Sequence, residues 1–328
     1  MRMKLNLIVV LLVGALSMAT SCQNKKQTNS PTMGVAKIIC EESFQNIMDQ
    51  EIQVFEYQYP EASILCRYQD ESSAFDSLLN KTVDLIVTSR DLTPRQRDYL
   101  KSQGRAFRSR KIAVDAIAII ANKENDIEEL SMSELEEIFS GKTRIWGKVT
   151  PTRALRNDSI QLVFDSNASG VVHYIRDKFL KGALFPFPVY AQKSTESVFK
   201  AVEAHKNAIG FVGVSWISDD MTAQMSMDQK VTKLNSDSSE PVAVSFTDRI
   251  KVMKVRAENK LEGCKPYQVY INSGDYPLFR VIYAIDASAS GTLDHGFFAF
   301  LTGVIGQKII LLTGVMPAAE PVRTVQLN

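Results

Sequence analysis

Residues 160–177 read IQLVFDSNASGVVHYIRD, which is a short apolar run, five small or hydroxyl-bearing residues, and then a helical pattern. The first turn of a helix has unpaired backbone N–H groups and a partial positive charge, so an anion placed there gains hydrogen bonds and a favourable dipole interaction. Small residues at 166–170 would let such an anion approach the backbone. The stretch therefore predicts a strand–helix unit whose junction can face a bound oxyanion.

Short apolar runs alternate with helical segments along the rest of the chain from Val35 onward. Strands are predicted at 35–40, 62–68, 83–89, 112–120, 160–164, 186–191, 208–217 and 266–271. Helices are predicted at 43–59, 73–80, 94–103, 132–140, 171–181, 195–205 and 295–313. Strands that alternate with helices are typical of α/β proteins with mainly parallel sheets.

Four predicted strand ends are followed at once by hydroxyl, acidic or amide residues, at 41–44, 70–73, 88–90 and 165–170. Each junction taken singly is better explained by helix capping than by ligand binding, since Ser, Thr, Asp and Asn are ordinary N-caps. Ligands of open α/β sheets bind beyond the carboxyl ends of the strands, where these junctions would converge. Together they predict an anion site.

The N-terminus has the pattern of an export signal. Arg2 and Lys4 precede an apolar run over 5–19, which ends at small residues before Cys22. Residues 19–22, Ala-Thr-Ser-Cys, resemble a bacterial lipobox, so residues 1–21 are expected to be a signal peptide and Cys22 a lipidated first residue; an ordinary signal without lipid is the alternative. Residues 22–33 are polar and predict a flexible tether.

The length, the net charge and the cysteine pattern limit the functions that the chain can have. The chain has 328 residues and a formal charge of +1, which becomes −1 once residues 1–21 are removed, so nucleic-acid binding has no electrostatic support. A chain of this length predicts two lobes. The spacing of cysteines and histidines fits no metal site, and no metal or cofactor is expected. Cys40 and Cys66 are open to two interpretations, a disulfide or buried thiols.

Several longer segments resemble the phosphate-binding proteins of bacterial ABC importers (the PstS type). LSMSELEEIFSGKTRIWGKV (130–149), which follows IAVDAIAIIANKEN (112–125), is the most specific match to the family pattern. Further matches are VDLIVTSRDL (83–92), AIGFVGVSWI (208–217), YPLFRVIY (276–283) and GQKIILLTGVMPA (306–318). The resemblance extends over most of the exported chain.

The resemblance implies a two-lobed periplasmic binding protein of type II, with each lobe a mainly parallel sheet flanked by helices. Two hinge strands near 112–120 and 267–280 would join lobe 1, formed by residues 34–114 and 275–328, to lobe 2, formed by residues 115–274. It further implies a monomeric, non-enzymatic cell-envelope lipoprotein that captures inorganic phosphate in the cleft and delivers it to ABC permease subunits. A sulfate-like oxyanion, a sensing role without a transporter, and an exported phosphoester hydrolase are the alternatives.

The family's anion motif, Arg-Ser-Asp-Gly-Ser-Gly-Thr, falls on residues 165–171, where half of it has changed. The family's arginine is Asp165, which is expected to turn outward or pair with a cation. Arg90 is the favoured replacement cation, with a surface salt bridge as the alternative, whereas Asp115 is assigned no ligand role. The resulting predicted ligand shell is Ser43, Phe44, Ser72, Ser73, Ser89, Arg90, Asn167, Ser169 and Gly170.

Overall fold

The structure is a computed structural model, and it describes residues 29–218, 225–236 and 245–319. The predicted signal peptide, the lipidation site at Cys22 and most of the predicted tether lie outside these residues.

Strands and helices follow one another along the described chain. The strands are β1 (Gly34–Glu41), β2 (Ala62–Gln69), β3 (Leu85–Thr88), β4 (Arg108–Ala121), β5 (Glu129–Ser131), β6 (Gln161–Phe164), β7 (Tyr190–Ala191), β8 (Ala208–Gly213), β9 (Lys251–Val252), β10 (Lys254–Arg256), β11 (Phe279–Asp286) and β12 (Met316–Pro317). The helices are α1 (Gln45–Gln58), α2 (Glu71–Leu79), α3 (Pro94–Ser102), α4 (Met132–Phe139), α5 (Trp146–Val149), α6 (Gly170–Leu180), α7 (Thr195–Ala204), α8 (Met227–Asn235), α9 (Gln268–Asn272), α10 (Leu293–Thr302) and α11 (Val304–Leu312).

The main sheet has the strand order β2-β1-β3-β11-β4-β8-β6-β7, with β9 and β12 also paired to β4. Strand β1 is parallel to β2 and β3, and β6 is parallel to β7 and β8. Strand β11 runs antiparallel to β3 and β4. The chain is therefore α/β with parallel strands in both parts of the sheet, as the sequence predicts.

Strand β4 connects the two parts of the sheet because it changes partner along its length. Residues up to Ala116 pair with β11, and residues from Ile117 onward pair with β8. We call the strands β1, β2, β3 and β11 with the start of β4 the first sheet half, and the end of β4 with β8, β6 and β7 the second sheet half. Residues 112–121 are all buried, as expected for a strand that is covered on both faces.

Two predicted elements differ from the structure in type or continuity. Residues 266–271, predicted as a strand, contain the start of helix α9. A run of six residues is too short for the periods of a helix and a strand to be told apart. The long helix predicted at 295–313 is broken at Gly303 into α10 and α11, which meet at a bend of 60°.

Strand β7 is shorter than the strand predicted at 186–191 because Pro186 and Pro188 cannot donate to a ladder. Within the described ranges, no single helix is long and apolar enough to span a membrane, and α10 with α11 meets those criteria only as a bent pair. Cys40, Cys66 and Cys264 are free thiols, so the structure favours the second interpretation of Cys40 and Cys66.

Candidate functional site

Arg280 is a fully buried cation at the centre of a polar cluster between the two sheet halves. It lies in β11 directly opposite Asp115 of β4, and its Nε and Nη2 atoms donate to that carboxylate at 3.2 and 3.1 Å. Its Nη1 atom donates to Glu41 at 3.0 Å, and Nη2 also donates to the hydroxyl of Ser43 at 2.8 Å. The ring of Phe44 packs 4.4 Å from the guanidinium carbon. The guanidinium is thus paired with two carboxylates and stacked on one aromatic ring.

Glu41 ends strand β1, and its carboxylate is buried where several chain segments meet. Its Oε1 atom accepts hydrogen bonds from the Ser43 hydroxyl at 2.6 Å, the Gly170 backbone N–H at 3.0 Å and Arg280 at 3.0 Å. Its Oε2 atom accepts from the Ser89 backbone N–H at 3.1 Å. These donors come from the turn before α1, the start of α6, strand β11 and the end of β3. We call this set of donors the oxyanion cradle.

The start of helix α6 explains the small residues quoted at the outset. The hydroxyl of Ser169 caps the helix by accepting from the Val172 N–H at 3.3 Å. The next N–H, that of Gly170, is left to donate to Glu41. A β-carbon at Gly170 would collide with the Glu41 carboxylate and the Ser89 hydroxyl, so any larger residue would force these side chains to move. The sequence is small here because the two sheet halves touch at this residue.

Glu71 is a second buried carboxylate beside the oxyanion cradle. It accepts hydrogen bonds from the Ser89 hydroxyl at 2.6 Å, Arg90 Nε at 3.1 Å and His173 Nδ1 at 3.2 Å. Burial raises the pKa of Glu71, but the hydrogen bonds from His173 and Ser89 outweigh it, and the pKa lies below its ordinary value. The bond to Glu71 raises the pKa of His173. Arg90 also stacks on the ring of Phe75, 3.8 Å from its centre.

Two aspartates complete the cluster. Burial raises the pKa of Asp115 against the opposing effect of Arg280, and burial likewise raises the pKa of Asp165 against a hydrogen bond from Ser169. Asp165 is only 2% exposed, so the expectation that it turns outward is wrong. It faces inward, close enough to Arg280 for their charges to interact. The cluster thus contains more carboxylates than cations.

The structure brings together part of the predicted ligand shell. Ser43, Phe44, Ser89, Ser169 and Gly170 lie in or against the oxyanion cradle.

The other predicted residues have different surroundings. Arg90 lies at the edge of the cluster with a side chain that is 40% exposed, bound to Glu71. Ser73 belongs to the cap of α2, where its N–H and hydroxyl donate to Asp70. Ser72 and Asn167 are exposed and lie outside the cluster.

Sequence reasoning missed the charged residues at the centre of the cluster, Glu41, Glu71 and Arg280, and the pairing of Asp115. The signal that could have found two of them is a charged residue inside an apolar strand. Arg280 interrupts FRVIYAID and Asp115 interrupts IAVDAIAII, and the two are direct cross-strand partners. A buried charge needs a partner of opposite sign, so a buried arginine in one strand and a buried aspartate in another predict that the two strands pair with these residues in contact.

The cluster can stabilise a small oxyanion, because backbone amides, a hydroxyl and a guanidinium all donate towards one point. No group of His, Cys, Asp or Glu side chains suited to a metal ion occurs in residues 29–218, 225–236 or 245–319.

Comparison with known proteins gives consistent results over most of the chain. The chain is 22% identical over 304 residues to "Phosphate-binding protein PstS" of Pseudomonas aeruginosa, and this match covers 89% of this chain and 85% of the relative. It is 27% identical over 127 residues to "Phosphate-binding protein PstS 2" of Streptococcus pneumoniae, and this match spans only 41% of that relative's length. The solved structure of an ABC-type phosphate transport receptor from Vibrio cholerae superposes with a TM-score of 0.60 at 18% identity, covering 87% of this chain and all of the receptor. A family model described as "PBP superfamily domain" matches residues 25–304. The chain belongs to the PBP superfamily.

Proposed function

We propose that this protein is the substrate-binding component of an ABC importer and that it captures inorganic phosphate between its two sheet halves. The observation that carries the proposal is the oxyanion cradle, in which donors from four chain segments converge on one carboxylate. A carboxylate and a phosphate both present oxygens that share negative charge, and both are stabilised by the same amide, hydroxyl and guanidinium donors. The relatives named above are phosphate-binding proteins, which supports phosphate as the ligand.

The ligand shell that we propose combines the predicted residues of the cradle with the cation that the sequence reading missed. Arg280 takes the role that was expected of Arg90, because it is buried and aims at the cradle, whereas Arg90 is partly exposed and bound to Glu71. The proposed shell is Ser43, Phe44, Ser89, Ser169, Gly170 and Arg280.

We further propose that the sheet halves belong to two lobes that close on the ligand. Lobe 1 would comprise residues 34–114 and 275–328, and lobe 2 residues 115–274. The partner change of β4 between Ala116 and Ile117 supports a hinge at this position. Hinge closure around a ligand is the usual motion of periplasmic binding proteins.

The setting of the protein follows as part of the same proposal. An exported chain with a lipid on Cys22 would stay at the membrane surface as a monomer, where ABC permease subunits can collect the bound phosphate. The apolar run over 5–19 and the small residues before Cys22 support export and lipidation.

A hydrolase is less well supported by the site. Ser89 and His173 both bond to Glu71, so the carboxylate lies between the hydroxyl and the imidazole. In a nucleophilic serine site the base contacts the hydroxyl and the acid contacts the base. In this cluster the serine hydroxyl contacts the carboxylate and not the imidazole, so the order of a nucleophilic serine site is absent.

The test is isothermal titration of the purified protein with phosphate, sulfate and arsenate, with planar nitrate as the control. We expect saturable binding of phosphate and arsenate and no binding of nitrate. If phosphate, sulfate and arsenate each give only the heat of dilution, the proposed function is overturned.

A further inference from the structure

We propose that Glu41 is a tethered anion that occupies the oxyanion cradle, holds the two sheet halves together without a ligand, and is displaced when phosphate binds. The competition with phosphate rests on the proposed function, whereas the closing role of Glu41 can be tested without any ligand.

The contacts of Glu41 are those expected of a bound ligand. Its carboxylate joins the end of β1 in the first sheet half to the Gly170 N–H of α6, which follows β6 of the second half. It also accepts from the Ser89 N–H and from Arg280. Both of its oxygens are therefore used, and its side chain is about 1% exposed. Charged hydrogen bonds of this kind are stronger than neutral ones, so they favour the closed arrangement.

The Glu41 carboxylate fills the space in front of the Gly170 N–H. A single methyl group at Gly170 would already collide with both Glu41 oxygens and with the Ser89 hydroxyl. A phosphate that uses the same N–H groups must therefore take the place of the carboxylate.

The surrounding charges require the same exchange. Asp115 and Asp165 are buried beside Arg280, and Glu71 lies on the other side of Ser89. Adding a phosphate while Glu41 stays would place one more negative group among these carboxylates, which is strongly unfavourable in a buried site. Displacing Glu41 into solvent removes one negative charge as the phosphate enters.

An internal competitor lowers the apparent affinity for the free ligand. If Glu41 leaves the cradle for only about 1–10% of the time, the apparent Kd for phosphate is raised about 10- to 100-fold over that of the empty cradle. Glu41 would thus set the phosphate concentration at which the protein responds.

The variants Glu41→Ala and Glu41→Gln test the inference, because one removes the side chain and the other removes only its charge. Glu42→Gln is the matched control, since it removes the same charge from the adjacent residue, which is half-buried and outside the cradle. Small-angle X-ray scattering without ligand measures closure, and isothermal titration measures phosphate binding. Thermal unfolding with acetate tests whether a free carboxylate replaces the missing one.

We expect both Glu41 variants to show a larger radius of gyration than wild type and Glu42→Gln, and to bind phosphate about tenfold or more tightly. Acetate should raise the Tm of Glu41→Ala and leave that of wild type unchanged. Unchanged scattering together with unchanged or weaker phosphate binding would overturn the inference. Opened variants that bind no phosphate, alongside a wild type that binds none, would support the closing role of Glu41 and overturn the proposed ligand. If Glu41→Ala does not fold, the scattering and the phosphate titration of Glu41→Gln alone test the inference.

Discussion

The Oε1 atom of Glu41 lies 3.0 Å from the backbone nitrogen of Gly170, so a carboxylate at the end of β1 is held by the first turn of α6. The two residues are far apart in the chain: Glu41 ends a strand of the first sheet half, and Gly170 starts the helix that follows β6 of the second half. A junction that the sequence marks as suitable for an oxyanion is therefore occupied by an oxyanion of the protein itself. Under the proposed function, the stability of the site and its affinity for phosphate depend on the same hydrogen bonds.

Removing Arg280 should destabilise the protein much more than removing Arg90. Arg280→Met would leave Glu41 and Asp115 buried without their cation, which costs about 3–5 kcal/mol in the free energy of unfolding. Arg90→Met removes a partly exposed ion pair with Glu71 and should cost about 1 kcal/mol or less. Urea unfolding measures both variants, and equal losses would contradict the central position of Arg280.

Two of the predicted serines should respond differently to the same substitution. Ser89→Ala removes a half-buried hydroxyl that donates to the buried carboxylate of Glu71 and should cost about 1–3 kcal/mol of stability. Ser72→Ala alters an exposed side chain and should stay within about 0.5 kcal/mol of wild type. Chemical denaturation measures the difference, and a larger loss for Ser72→Ala than for Ser89→Ala would contradict the exposed position of Ser72.

Gly170→Ala should open the cradle, because a methyl group collides with Glu41 and the Ser89 hydroxyl. We expect a loss of about 1–3 kcal/mol in unfolding free energy from overpacking. Combining it with Glu41→Ala should cost less than the sum of the single losses, since one of the colliding groups is then absent. A double-mutant cycle by urea unfolding checks this, and strict additivity would show that the two residues are not in contact.

The His173–Glu71 pair should make stability depend on pH. The pKa of folded His173 lies above its ordinary value of 6.5, so its stabilising contribution is fully present below pH 6.5 and is lost as the pH rises through the folded-state pKa. The pKa of folded Glu71 lies below its ordinary value of 4.5, so its contribution is present above pH 4.5 and is lost on further acidification.

The stability difference between wild type and His173→Gln should therefore be largest between pH 4.5 and 6.5 and shrink as the pH rises through the folded-state pKa of His173. Unfolding titrations at several pH values measure this difference. His205→Gln is the control, because His205 is exposed and lies in the loop after α7. A difference that stays constant with pH would show that His173 is not paired with Glu71.

Helices and strands could be predicted from the sequence where a single signal within a few residues determines them. Helix α4 forms close to the predicted range 132–140, because the capping box of Ser131 and Glu134 that starts it has both of its hydrogen bonds within one turn. The strand at 279–286 was missed because Arg280 interrupts its apolar pattern, and that interruption makes sense only with Asp115 on the neighbouring strand. Residues 266–271 were given the wrong type because so short a run fits either period.

The sequence by itself determined the α/β class, the order of most strands and helices, and the small residues at the start of α6, since these depend on local periodicity and backbone sterics. Only the tertiary structure decided that Glu41, Glu71, Asp115 and Arg280 share one buried cluster. The reason is that burial and charge pairing join residues that are distant in the chain, and one sequence contains no measure of those distances. Glu41, which lies two residues before the predicted Ser43, could therefore be recognised as the occupant of the oxyanion cradle only once the chain was folded.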